Sequence, residues 1–449
     1  MKIALASACS CFAIVLWGCT PVVSVRPLYT QSEIEKPYQD KRVEGEWNMA
    51  SMDDPSDDAA ATKPPCRVRI SEPTAGELPY TAEFRCPDSK DGSGESYSKY
   101  DFHLVSLDTH TFFDARFAES EEKGKHLSFS DIQDTGIAPA HLLGQAWVQL
   151  DFVRFGTLES DWVEKNWPGD SLATSKVGTY SRVDILTNQT KDLRDILSQN
   201  VGSSDAFGFA LYLCRPGADC NAQAIGDQLA RTPDNRDVLT GSVKFYAKRG
   251  DFARAIILQR HKIALGSDEA TDQLELGRLL LLTRDFDAAR RVFATAKEQS
   301  DSASAIKVLA VRSYFLEGDY AGTVQAAKSL EASGKLPSAD PIILSYFALH
   351  RLGRVKEAES YLQQHAATFA GPAEEHLLLL EVLGRVTDSW ASKDWTRSTY
   401  YYALNALKNK NLNHGREHLR DLATMRPKDD LIGLAAKIEL ERLPSPADK

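Results

Sequence analysis

The sequence is short of sulfur and of positive charge. Seven cysteines and four methionines stand in 449 residues, and 53 basic side chains face 63 acidic ones, for a formal net charge of −10. A deficit of cations weighs against a general nucleic-acid binder, which draws its affinity from neutralising phosphates. Recognisable catalytic motifs are missing too: there is no Walker loop, no G-x-S-x-G elbow and no dinucleotide fingerprint. Carboxylates are plentiful, yet none forms a pair singled out by its setting, so the expectation is a protein that is not an enzyme. His414 and His418 lie four apart on one helical face, but Glu417 is misplaced relative to H-E-x-x-H, and no metal is expected. Asp91-Gly92-Ser93-Gly94 reads as a mobile hairpin loop. What the chain does have is 43% hydrophobic and 26% charged residues, enough to bury substantial cores, and a length that suits two main units.

The N-terminus carries Lys2, an apolar stretch of about 15 residues through Trp17, and then Gly18-Cys19. This is the layout of a secretory signal, and the stretch falls short of the ~20 residues that a membrane-crossing helix needs. Leu16-Trp17-Gly18-Cys19 resembles the bacterial lipobox, although Trp17 is larger than the residue usual there. The resemblance implies cleavage after residue 18, a covalent lipid on Cys19 and no other cofactor. Thr20, standing where lipoproteins of the inner membrane carry Asp, points to the outer membrane, with the body in the periplasm. Residues 19–40, punctuated by Pro27 and Pro37, read as a tether. Export leaves four cysteines, Cys66, Cys86, Cys214 and Cys220, and an oxidising compartment favours their pairing. Sequence proximity suggests Cys66 with Cys86 and Cys214 with Cys220. Four cysteines allow three connectivities, and four buried free thiols are the other reading.

Residues 41–200 alternate as strands do: Cys66 to Ile70, Tyr80 to Phe84, Phe102 to Leu107, Thr111 to Phe117 and Ala146 to Phe155. A helix from Thr190, with that threonine as its cap, ends the region. Gly45-Glu46-Trp47, followed by the strand series, Trp162 and the closing helix, resembles the lipocalin superfamily. Arg26-Pro27-Leu28-Tyr29 adds a likeness to bacterial lipoproteins with such a domain after the lipidated cysteine. The resemblance implies an antiparallel β-barrel of lipocalin or calycin type with Trp47 plugging its closed end. Its interior is either filled by side chains or open as a ligand cavity.

Beyond a helical connector at 201–235, periodicity dominates. Gly250-Asp251-Phe252, Arg284-Asp285-Phe286, Gly318-Asp319-Tyr320 and Gly353-Arg354-Val355 follow one another at offsets of 34, 34 and 35 residues. A helix-turn-helix unit hides its apolar stripe only by stacking on its neighbours, so this period requires an all-α solenoid. Leu276-Gly277, Phe293 and Pro427 stand where the tetratricopeptide family has its Leu-Gly pair, second-helix aromatic and terminating proline. The resemblance assigns repeats to 236–430, with units starting near 236, 270, 304, 339 and 396, broken in register at 373–395; residues 431–449 are a C-terminal helix and tail.

Tetratricopeptide arrays bind through the face of their first helices. That alignment brings Lys244, Arg278 and Arg312 to one position of successive units and Lys248 and Arg351 to another, with Leu274, Leu281, Phe315 and Phe347 as apolar contacts. Two readings stand: a groove for an acidic or carboxylate-terminated peptide, or a face whose cations pair with acidic residues of adjacent helices. The functional expectation is a membrane-anchored envelope scaffold that binds a protein partner. The alternative is a carrier or chaperone holding a lipid or other apolar ligand in the barrel.

Overall fold

Alternation of inward apolar and outward polar side chains closes the first half of the chain on itself. In the computed structural model the described residues are 22–35, 37–50, 65–72, 80–87, 95–122, 125–128, 141–177, 180–201, 206–207, 209–266, 270–296, 303–332, 336, 338–385 and 395–444. Cys19 and Asp91-Gly92-Ser93-Gly94 lie outside them. Two units result, Met1–Pro233 and Asp234–Lys449.

The first unit contains strands β1 (Val22–Ser24), β2 (Gly45–Met49), β3 (Arg67–Ser71), β4 (Tyr80–Pro87), β5 (Glu95–Leu107), β6 (His110–Glu122), β7 (Lys125–Ser128), β8 (Leu142–Val148), β9 (Phe152–Thr157), β10 (Leu172–Val177), β11 (Tyr180–Leu186) and β12 (Phe209–Cys214). Eight of them, in the order β2-β3-β4-β5-β6-β8-β9-β12, pair antiparallel with their neighbours, and β12 returns to β2. The ring leaves no unpaired edge among these eight strands. Along β3, Val68 and Ile70 point inward and are buried, while Arg67 and Arg69 are exposed. The residues read as one strand from Ala146 to Phe155 form the hairpin β8–β9 instead, turning at 149–151.

Between β9 and β12 the chain leaves the ring. Helix α2 (Ser160–Asn166), the hairpin β10–β11 and helix α3 (Thr190–Gln199) cover the outer wall of β5, β6 and β8 with a second apolar core built on Val105, Phe112, Leu143, Trp162, Leu193 and Phe207. The tether boundary at residue 40 needs correction. β1 pairs parallel with β11, Leu28 is fully buried, and its N–H donates to Asp114 Oδ2 at 2.6 Å. Asp114 Oδ1 holds His141 Nδ1 at 2.6 Å, and Arg194 holds Glu33, so the segment from Val22, with helix α1 (Gln31–Glu35), is clamped to the barrel unit. Thr190 is not the cap of α3. Gln189 occupies that place, and the Thr190 hydroxyl donates to the Pro27 carbonyl. The connector at 201–235 also falls: its β12 is a stave of the barrel, and α4 (Cys220–Arg231) is bound to it by Cys214–Cys220. The second disulfide, Cys66–Cys86, ties β4 to the residue preceding β3.

The second unit contains twelve described helices: α5 (Arg236–Arg249), α6 (Phe252–Ala264), α7 (Ala270–Leu282), α8 (Phe286–Thr295), α9 (Ala303–Glu317), α10 (Tyr320–Ala332), α11 (Asp340–Arg351), α12 (Val355–Thr368), α13 (Ala373–Val382), α14 (Trp395–Lys408), α15 (Leu412–Met425) and α16 (Leu431–Arg442). The recurrent tripeptides build the turns. Gly250, Arg284, Gly318, Gly353 and Lys410 all adopt positive φ, which stops one helix, and Asp251, Asp285 and Asn411 accept a backbone N–H to start the next. Turns this short fold each helix back on its predecessor.

Gly277 shows why some positions admit no side chain. A Cβ there would sit 2.0 Å from Phe293 Cε1, so α7 and α8 meet across this glycine. Gly277→Ala should cost about 1–3 kcal/mol through overpacking, read as a lower urea midpoint with unchanged slope.

Candidate functional site: the face of the first helices

Helices α5, α7, α9 and α11 present the row of cations picked out by the sequence. A later element lies across part of this row, at Arg278 and Arg351. The segment 428–442, ending in α16, crosses the same helices. Lys428 donates to the Arg249 carbonyl at 3.3 Å, Arg278 donates to the Asp429 carbonyl at 2.6 Å, and Arg284 makes two 2.7 Å bonds to Glu441. Arg351 pairs with Glu439, and Arg442 donates to the carbonyls of Phe315 and Leu316. Beneath these polar contacts Ile432, Ala435, Ala436 and Ile438 enter the same core as Val311, Phe315 and Phe347.

An open groove lined by free cations is thereby corrected. Arg278 is bound to Glu275 as well, and Arg312 to Asp340. Burial lowers the affinity of the Arg351 guanidinium for its proton, but Glu439 more than restores it, so its pKa is raised. Lys244 is exposed and Lys248 is half-buried. Leu281, Phe315 and Phe347 are not groove contacts: they are 0%, 0% and 3% exposed and form the interior. Leu274 packs half-buried against the core around Leu276 and Leu280. Repeat alignment cannot tell whether a given position looks into a void, into the interior or into a later helix.

A buried cluster that the sequence reading missed sits on this array. Asp340, at the start of α11, accepts from Arg312, from Arg397 at 2.6 Å and from Tyr401 at 2.7 Å; Arg397 also reaches Glu375 at 2.7 Å. Burial pushes the Asp340 carboxyl up, yet the two guanidiniums outweigh it and hold it below the ordinary carboxylate range. The cluster joins α9, α11, α13 and α14, and its signal in the sequence was weak: an acid at a helix start next to Pro341.

The barrel interior offers the other cavity. Trp47 is 1% exposed, donates from Nε1 to the Val43 carbonyl at 2.8 Å and carries the Arg215 guanidinium 3.7 Å above its ring. It belongs to the same buried core as Tyr80 and Leu213. Beyond it remains about 90 Å³, lined by Phe84, Tyr100, Phe113, Leu142, Phe155 and neighbouring apolar side chains. Ligand pockets run to roughly 300–1,000 Å³, so side chains fill most of the barrel's described interior.

Neither a protein-family model nor a curated protein matches this chain. Among solved structures it is similar to that of Naa15/Naa10 bound to HypK-THB, at 16% identity and a TM-score of 0.24, over 49% of this chain and 36% of that one. The chain thus spans about a third of the structure it matches. An overlap of this size says nothing about activity. Among the described residues no helix is long and apolar enough to cross a membrane.

Proposed function

We propose that this protein is a bacterial envelope lipoprotein, held at the outer membrane through an acylated Cys19, in which a lipocalin-like barrel carries a tetratricopeptide-like array that binds a protein partner. The observation that carries this reading is the series of helix hairpins joined by repeated positive-φ turns. Stacked hairpins present long, regular surfaces to other polypeptides. The face of the first helices already takes a helix of the same chain, whose Glu439 and Glu441 pair with Arg351 and Arg284 and whose Ile432, Ala435, Ala436 and Ile438 are buried, which supports a partner segment that likewise offers carboxylates beside small and apolar side chains. Such a partner competes with α16 or extends the array past Lys244.

Native mass spectrometry of the protein purified from cell envelopes tests this. A stoichiometric polypeptide supports the scaffold; a small apolar molecule alone, or nothing bound, sinks it. The roughly 90 Å³ barrel cavity is the feature that favours the carrier reading, and it is well below the volume of a long acyl chain. Anchoring is tested separately: Cys19→Ala should move the protein from the membrane pellet to the soluble fraction and abolish incorporation of an alkynyl palmitate probe.

A further inference from the structure

The last complete hairpin carries a group of side chains that neither its packing nor the proposed scaffold explains. Helix α15 packs closely on α14 because position 415 is glycine: a Cβ there would meet Leu407 Cδ2 at 2.6 Å and the Ala403 carbonyl oxygen at 3.1 Å. This approach brings Tyr402 of α14 over His414 and His418, which lie one turn apart on α15. His414 Nε2 is 3.3 Å from His418 Nε2 and 3.1 Å from the Tyr402 hydroxyl. The tyrosine ring meets both imidazoles edge-on, with centroids 5.4 and 5.3 Å away. Tyr402 is 47% exposed and the His414 side chain 39%, so the three polar atoms converge where solvent reaches them.

We propose that His414 Nε2, His418 Nε2 and Tyr402 Oη bind one Zn²⁺ ion, with water completing the shell. Bonds from zinc to nitrogen and oxygen measure about 2.0–2.1 Å, and the edge of a tetrahedron of that size is about 3.3–3.4 Å. The two contacts to His414 Nε2 fall within a few tenths of an ångström of that edge, so His414 stands at ligand spacing from both other donors. Imidazole donors suit zinc and its borderline neighbours, whereas hard cations such as Mg²⁺ seek oxygen shells. Among the described residues no group of three His, Cys, Asp or Glu side chains is placed to hold a metal, so the assignment rests on two histidines and a phenol. Bound zinc would pin α14 to α15 next to α16.

Calorimetric titration of ZnCl₂ into tag-free, full-length protein tests the assignment. One Zn²⁺ per chain is expected, with at least tenfold weaker binding in both His414→Ala and His418→Ala, no change in His261→Ala, and no heat from MgCl₂. Tyr402→Phe should weaken binding severalfold; unchanged affinity would overturn the part given to the phenol. Circular dichroism of each variant establishes that it is folded. Binding that survives both histidine substitutions, that needs His261 equally, or that Mg²⁺ reproduces would overturn the proposal, as would no binding at all.

Discussion

Asp340→Asn should destabilise the helical unit by about 3–5 kcal/mol, although the substitution changes neither size nor shape. Two guanidiniums, Arg312 and Arg397, and the Tyr401 hydroxyl converge on this carboxylate. Their side chains are 12%, 20% and 1% exposed, so little water can replace the lost charge. Removing one partner of a buried ion cluster leaves uncompensated charge in a poor dielectric, and the cost is that of stranded cations and not the modest worth of a surface pair. Native-state hydrogen exchange measured peptide by peptide should show the loss in α9, α11 and α14. The pH dependence has a definite sign. Because the folded pKa is depressed below the ordinary value of 3.8, the contribution is complete above that value and disappears as pH falls through the folded one. The gap between wild type and the Asn variant should therefore narrow only in strong acid. A gap that is constant down to pH 2, or a loss below 1 kcal/mol, would contradict the assigned role.

Trp47→Ala should cost the barrel about 3–5 kcal/mol. The indole is almost wholly buried, so its removal empties the floor of the lumen, and cavity-forming substitutions of large aromatics fall in this range. Two further losses follow. The Val43 carbonyl loses its indole N–H donor, and the Arg215 guanidinium loses the ring it lies over, worth about 0.5–1 kcal/mol at a partly exposed site. Arg215 also donates to the carbonyls of Glu44 and Arg42 at 2.9 Å, so its displacement should loosen the chain leading into β2. The expected result is a lower guanidinium midpoint followed by near-ultraviolet dichroism, with Trp47→Phe recovering part of it. An Ala variant as stable as the wild type would show that the barrel closes by other means.

Much of this was legible in the residues because it depends on local rules. The helix turns are visible in the spacing of Gly250, Arg284, Gly318 and Gly353, since a left-handed residue stops one helix at each, and at the first three a capping aspartate follows to start the next. Strands of the barrel are visible by alternation, and the pairs Cys66–Cys86 and Cys214–Cys220 by proximity in the sequence. What failed was whatever depends on distant partners. β12 was assigned to a connector because Phe209–Cys214 reads the same whether it is buried between two strands or not, and only ring closure makes it a stave. The prolines of the segment from Val22 resemble those of a spacer, while Asp114, far along the chain, decides that it is packed. Periodicity aligned the cations of the array but was silent on Glu439 and Glu441, which lie outside the repeats.

The docking of α16 changes how the array is expected to assemble. In an open stack each hairpin touches only its neighbours, and such chains can melt from one end. Here the Arg278–Asp429 and Lys428–Arg249 bonds span 151 and 179 residues. The earliest hairpins are therefore completed only when residues 428–442 have left the ribosome, and nascent chains should depend on folding helpers until then. Once formed, the twelve helices should unfold in a single cooperative step instead of fraying repeat by repeat.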